Sequence, residues 1–212
     1  MQFPCLQEIR AYWEALRNGR AAPARSEVDP RGIERSLEYA FILERIAPRV
    51  ARFRLAGSHL NELMGMEVRG MPVTAFFAPS TREQAADLLE GVFSGPVTLE
   101  LALRAEAGIG RPSLEARFLA LPLRSDLGDM NRALGCLVAC GRIGRAPRRF
   151  EIAGTRTAPI AVTAQDPFAR QPVPQPGGFA EAPAGFAPCA ALTDLPQPIR
   201  SRGHLHLIVS DE

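Results

Sequence analysis

The chain predicts an α+β fold: a five-stranded antiparallel sheet with helices over one face, an N-terminal helical extension and an irregular C-terminal tail. Three observations predict it. In the first, Phe53 and Leu55 alternate with Arg52 and Arg54, the period of a half-buried strand; Gly57 and Ser58 then lead into a stretch where Leu60, Leu63 and Met64 share one helical face before Gly65. In the second, three alternating segments follow one another between residues 97 and 143, separated by short turns. In the third, the helical periodicity of the core region is grouped between these two sets of strands instead of being interleaved with them, which is the α+β arrangement.

Residues 5–18 carry Leu6, Ile9, Trp13 and Leu16 at helical spacing, and Gly19 ends the pattern. Such a helix has an apolar stripe for its own sheet or for a partner, and these four residues are the candidate interface. Asp29 caps a second short helix with Pro30 in its first turn, running to about Leu37. Tyr39–Glu44 is the first strand and Arg52–Ala56 the second, with Pro48 in the loop between them. Ser58 is placed to cap the following helix, and the segment 66–78, with Gly70, Pro72 and Phe76-Phe77, predicts short helical turns. Ser80 and Glu83 have capping-box spacing at the start of a longer helix whose stripe is Ala85, Leu88, Leu89 and Val92, stopped by Gly95-Pro96. Val97–Arg104, Ser113–Leu123 and Arg132–Ile143 are the last three strands, the middle one apolar on both faces near its end. This divides the chain into an extension at 1–37, a sheet domain at 38–145 and a Pro/Ala/Gly-rich tail at 146–212 that reads as flexible, with a short apolar segment at His204–Val209.

The totals exclude several classes. At 212 residues and 46% hydrophobic the chain is long and apolar enough for one domain with a real core. A formal charge of +2 gives no general reason to expect nucleic acid as a partner. Met1–Cys5 is not the start of a secretory signal, and no apolar run is long enough to cross a bilayer, so a cytoplasmic protein without membrane insertion is expected. Cys5, Cys136, Cys140 and Cys189 match no zinc spacing. Cys136 and Cys140 fall in one strand, about 13 Å apart when extended, too far for a mutual disulfide.

The order of these elements resembles that of a PAS domain, and more closely the small stand-alone bacterial PAS proteins. The residues that carry the resemblance are Tyr12-Trp13, Leu16-Arg17, Gly19-Arg20, Pro23-Ala24-Arg25, Asp29-Pro30, Leu37–Glu44, Phe53–Gly57 and Gly65–Gly70. The resemblance implies a sheet enclosing a pocket, and sensing or protein–protein signalling instead of catalysis. It implies as partner another signalling protein, a kinase or a regulator, with a homodimer as a further expectation. It names no ligand, so the cofactor is unknown. The Asn-Cys-Arg-Phe motif of PAS domains that bind flavin covalently is missing, and residues 80–94 hold no histidine of the kind haem-binding members place there.

In such a fold Phe53, Leu55, Leu63, Phe76, Leu88, Val92, Leu101, Leu103, Phe118 and Val138 are expected to face the space between helices and sheet and are the candidate ligand pocket. An ordinary filled core is the competing expectation, because these side chains lack the polar handles that orient a ligand. His59 is a lone histidine on a short helix. His204 and His206 share one face of an extended segment but lack a third ligand, so no metal site is expected. Arg142, Arg145, Arg148 and Arg149 form a basic cluster that reads as a solvated linker. Neither a Gly-x-Ser-x-Gly nucleophile motif nor a phosphate-binding loop is present, so no enzymatic activity is expected; a carrier domain with an apolar pocket is the alternative function.

Overall fold

The computed structural model describes residues 3–95 and 97–163. Helix α1 spans Pro4–Arg17; strands β1 (Ala40–Ala47) and β2 (Val50–Ala56) form a hairpin; α2 (Ser58–Met64) and α3 (Arg82–Ser94) follow. Strands β3 (Val97–Ala105), β4 (Leu114–Leu123), β5 (Arg132–Cys140) and β6 (Phe150–Pro159) complete the order, with short 3-10 helices at Arg25–Glu27, Pro30–Ser36, Val73–Phe76 and Pro79–Thr81. The sheet has six strands in the order β2-β1-β5-β4-β3-β6, with every pairing antiparallel.

The expected five-stranded architecture is present, with one strand more. The sixth, β6, lies in the stretch read as tail. It pairs with β3 along its whole length and inserts Phe150, fully buried, into the core. Its alternation is brief, since Phe150 and Ile152 give way to Gly154 and threonines, and this hid it from periodicity. The segment His204–Val209 and Cys189 lie outside the described residues.

Helices also cover both faces of the sheet, not one. On the inner face, α2, α3 and the turns at 73–76 bury Phe41, Leu43, Phe53, Leu99, Leu101, Phe118 and Leu137. On the outer face, α1 and the Pro30–Ser36 turn bury Ile42, Leu119, Leu121, Leu134, Cys136 and Val138. This explains why β4 reads apolar on both sides: Leu119 and Leu121 point to α1 while Phe118 and Ala120 point to α3.

The stripe of α1 is consumed within the chain. Leu6, Ile9 and Trp13 are buried against the outer face, and Leu16 packs beside them half-buried. The Trp13 indole N–H donates to the Pro122 carbonyl at 2.8 Å, joining residues 109 positions apart. A buried indole needs such a partner. The candidate interface of Leu6, Ile9, Trp13 and Leu16 is therefore an internal contact.

The pieces of the N-terminal segment that carry the resemblance have the same purpose. Arg17 donates to the carbonyls of Arg20 and Ala161, and Arg20 to those of Leu16 and Arg17, so two guanidiniums satisfy the carbonyls that end α1. Arg20 also grips Glu27 through both carboxylate oxygens at 2.9 Å. The Tyr12 hydroxyl donates to Asp29 O and accepts from Asp29 N, and Asp29 Oδ1 caps the Arg31 N–H as the sequence predicts. The other expected caps differ. Gly57, not Ser58, stands at the α2 N-cap, and the hydroxyls of Ser80 and Thr81 reach across to Glu151 and Phe150 O of β6.

Glycine at 57 and 135 is required by space. A Cβ on Gly57 would lie 2.1 Å from Glu38 O, and one on Gly135 would lie 2.1 Å from Leu119 O and 2.5 Å from the Phe41 ring. Gly135→Ala is expected to cost about 1–3 kcal/mol, as overpacked cores do. Urea denaturation checks this, and a change within about 0.5 kcal/mol would contradict such tight packing of β5 between its neighbours.

Candidate functional site

The interior between helices and sheet is filled by rings. Phe41 stacks on Phe118 at 5.2 Å and meets Phe53 edge-on at 5.5 Å; Phe53 meets Phe76 at 5.3 Å, and Phe77 meets Phe118 at 6.1 Å. Those spacings are those of favourable aromatic pairs, each adding about 0.5–1.5 kcal/mol beyond area burial. Of the predicted pocket residues, Phe53, Leu63, Phe76, Val92, Leu101, Leu103 and Phe118 are brought together here, with Leu88 half-buried at the margin. They form a packed core.

Leu55 and Val138 are elsewhere. Strand β2 has a bulge: Leu43 pairs with Phe53 and Ile42 with Leu55, leaving Arg54 as the extra residue. One extra residue reverses the facing of everything beyond it. Leu55 thus turns to the outer face beside Ile42 and is 49% exposed. Val138 lies on the outer face because inward positions of β5 are Ala133, Gly135 and Leu137.

The outer face holds a groove that the sequence did not reveal. A cavity of about 520 Å³ is lined by Val28, Ile33, Leu37, Ile42, Leu55 and Leu134, among others. It lies on the sheet face that α1 covers further along, between the Pro30–Ser36 turn and the β1–β2 hairpin. Leu37 and Leu55 are both partly exposed at its mouth. Bulge reversal is what places Leu55 there, and a bulge leaves no periodic trace.

A second niche surrounds His59. Its Nε2 accepts the Ala139 N–H at 3.2 Å, and Tyr39 contacts the ring edge-on at 4.9 Å. An accepting Nε2 puts the proton of the neutral ring on Nδ1, which is 4.0 Å from Glu62. Burial depresses the imidazole's affinity for a second proton, outweighing the opposing pull of Glu62 and Glu38. Beside it, the Glu38 carboxylate, with some help from burial, holds the Tyr39 phenol up at about 12. Cys5 and Cys140 line the adjoining cavity as free thiols, and burial pushes the thiols of Cys5 and Cys136 up, away from the reactive range.

Arg148 is the largest departure from the predicted basic linker. It is fully buried and donates to the carbonyls of Ile143, Glu106 and Pro112, the last at 2.6 Å. It organises the turn that delivers β6 to the sheet. Burial and nearby Arg111 both make its charge costlier. Among the described residues no group of three or more His, Cys, Asp or Glu side chains is placed to hold a metal, and no helix is long and apolar enough to cross a membrane. His204 and His206 are outside the described residues.

A family model of the PAS domain matches residues 1–138, well over half of the chain. The chain belongs to the PAS-domain family. PAS domains are sensory modules, and the match begins at α1 rather than at β1, so the outer-face helix is part of the family unit. No curated protein matches. Among solved structures, the chain is similar to the light-state LOV domain of the blue-light photoreceptor Aureochrome1, at 10% identity and a TM-score of 0.36, covering 53% of this chain and 88% of that one. It is also similar to a light-oxygen-voltage domain studied with a flavin analogue, at 17% identity and a TM-score of 0.38, covering 53% and 84%.

Because His59 in this PAS domain binds a proton less readily folded than unfolded, its contribution to stability is complete above the ordinary histidine value, about 6.5, and is lost as pH falls below it. The urea midpoint is expected to fall between pH 7.5 and 5.5, and to fall less in His59→Gln. Equal slopes for the two proteins would show that His59 is not buried as a neutral acceptor.

Proposed function

We propose that the protein is a sensory PAS domain of bacterial signal transduction that works in the cytoplasm by docking onto another signalling protein, a kinase or a regulator, and that it performs no catalysis of its own. The observation that carries this reading is the outer groove bounded by Leu37 and Leu55. Apolar side chains left open around a concave surface are the mark of an interaction site. The occupant that fits is an amphipathic helix of the partner. The same sheet face already takes one such helix, α1, through Leu6, Ile9 and Trp13, and the groove continues that bed. A carrier domain is less well supported, because the phenylalanines are already in contact where an enclosed ligand would lie.

A signal changes such docking only by favouring one conformation over another. The groove has one wall in the 25–38 segment and another in the β1–β2 hairpin, so a small shift of the segment that follows α1 changes its width. Leu37→Arg and Leu55→Arg are at partly exposed positions and are expected to leave the melting temperature nearly unchanged. In pull-downs from native cytoplasm, each variant is expected to lose a kinase or regulator that the unaltered chain retains. Light scattering on the same samples reads self-association. Partners retained equally by both variants would place docking elsewhere.

A further inference from the structure

On the outer face, at the opposite side of α1 from the groove, a cavity of about 500 Å³ opens between α1 and strands β3, β4 and β6. Three arginines line it: Arg10 from α1, Arg117 from β4 and Arg156 from β6. A single carboxylate, Glu100 of β3, lies among them. Glu100 is paired with Arg10 at 2.9 Å. Arg156 stands directly across from Glu100 in the ladder, and Arg117 is two residues along β4 from Leu119, the other neighbour of Glu100. Residues directly opposite share a face with side chains about 5 Å apart, and their diagonal neighbours remain within reach of long side chains. The guanidinium of Arg117 sits over the Phe3 ring at 5.7 Å. Among the described residues neither Arg117 nor Arg156 has a carboxylate within ion-pairing distance.

Two guanidiniums facing one cavity, with the one carboxylate of its lining engaged by a third, leave a surplus of positive charge and unused donors. The geometry points to an anion site in which Arg117 and Arg156 hold a phosphate-type oxyanion against the outer sheet face. Arginine forks match tetrahedral oxyanions through paired N–H donors. Thr98 and Gln7 add polar groups at the wall, while Phe3, Leu6 and Ala158 supply an apolar side that suits the organic part of a small phosphate ester. The site goes beyond the docking reading. It draws its walls from α1 and from three strands, so a bound anion ties the N-terminal helix to the sheet at the end farthest from Arg17.

The test is isothermal titration of the intact chain, at constant ionic strength in chloride, with inorganic phosphate and with phenyl phosphate. Both are expected to bind. Tighter binding of phenyl phosphate assigns the site to organic phosphates, and equal binding assigns it to the free ion. Arg117→Gln and Arg156→Gln are each expected to weaken binding about tenfold, the worth of one lost charge-assisted hydrogen bond. Arg82→Gln makes the same charge change at an exposed position away from the cavity and is expected to have no effect. Glu100→Gln removes the competing carboxylate and frees Arg10, so it is expected to tighten binding severalfold. This gain cannot come from damage to the fold. Absence of binding, or affinities equal in the unaltered chain, Arg117→Gln, Arg156→Gln and Glu100→Gln, would overturn the proposal.

Discussion

The structure depends on a sheet that must be covered on both faces. Strands β1, β4 and β5 carry apolar side chains inward and outward, so the inner layer of α2 and α3 leaves Ile42, Leu119, Leu121, Leu134 and Cys136 still to be buried. Helix α1 meets that requirement. Burial of Leu6, Ile9 and Trp13 contributes about 1.5–3 kcal/mol each by area, and the indole bond to Pro122 O fixes where along β4 the helix lies. Pro122 has no N–H to give the ladder, but its carbonyl is free to be the acceptor. The arginines that finish α1 and the Tyr12–Asp29 bonds then hold the returning chain, which delivers Asp29-Pro30 to the start of the next turn.

This arrangement moves the interest of the molecule from the inside to the outside. Where helices and sheet enclose the core, Phe41, Phe53, Phe76, Phe77 and Phe118 are in contact. On the outer face, α1 covers the middle of the sheet and leaves two openings beside it. One is apolar and bounded by Leu37 and Leu55; the other is lined by Arg10, Arg117 and Arg156. The arginine-lined opening takes a wall from α1 itself, and the apolar one takes a wall from the 25–38 segment that follows it.

Much of the fold was legible because burial leaves a period. The strand alternations, the stripe of α1, the stripe of α3 and the double-faced end of β4 were all readable as patterns. What was hidden had no period. Strand β6 has only Phe150 and Ile152 before glycine and threonine, and its place is determined by Arg148, a buried cation that reads in sequence as part of a basic linker. Leu55 obeys the alternation as written, yet the bulge at Arg54 turns it over. The direction in which α1 buries its stripe is equally invisible, since Leu6, Ile9 and Trp13 serve a partner or their own sheet with the same spacing. The anion cavity draws on residues 10, 100, 117 and 156, brought together only by sheet register.

Trp13 is the only tryptophan in the chain and is almost fully buried, so its fluorescence reports the α1–sheet contact alone. Emission and acrylamide quenching measured across a wide dilution series test the contact directly. The structure predicts blue-shifted, weakly quenched emission that does not change with concentration, because Pro122 and the outer face belong to the same chain. Red-shifted, readily quenched emission, or a red shift that grows on dilution, would contradict it by showing that α1 is exposed or is covered by another molecule.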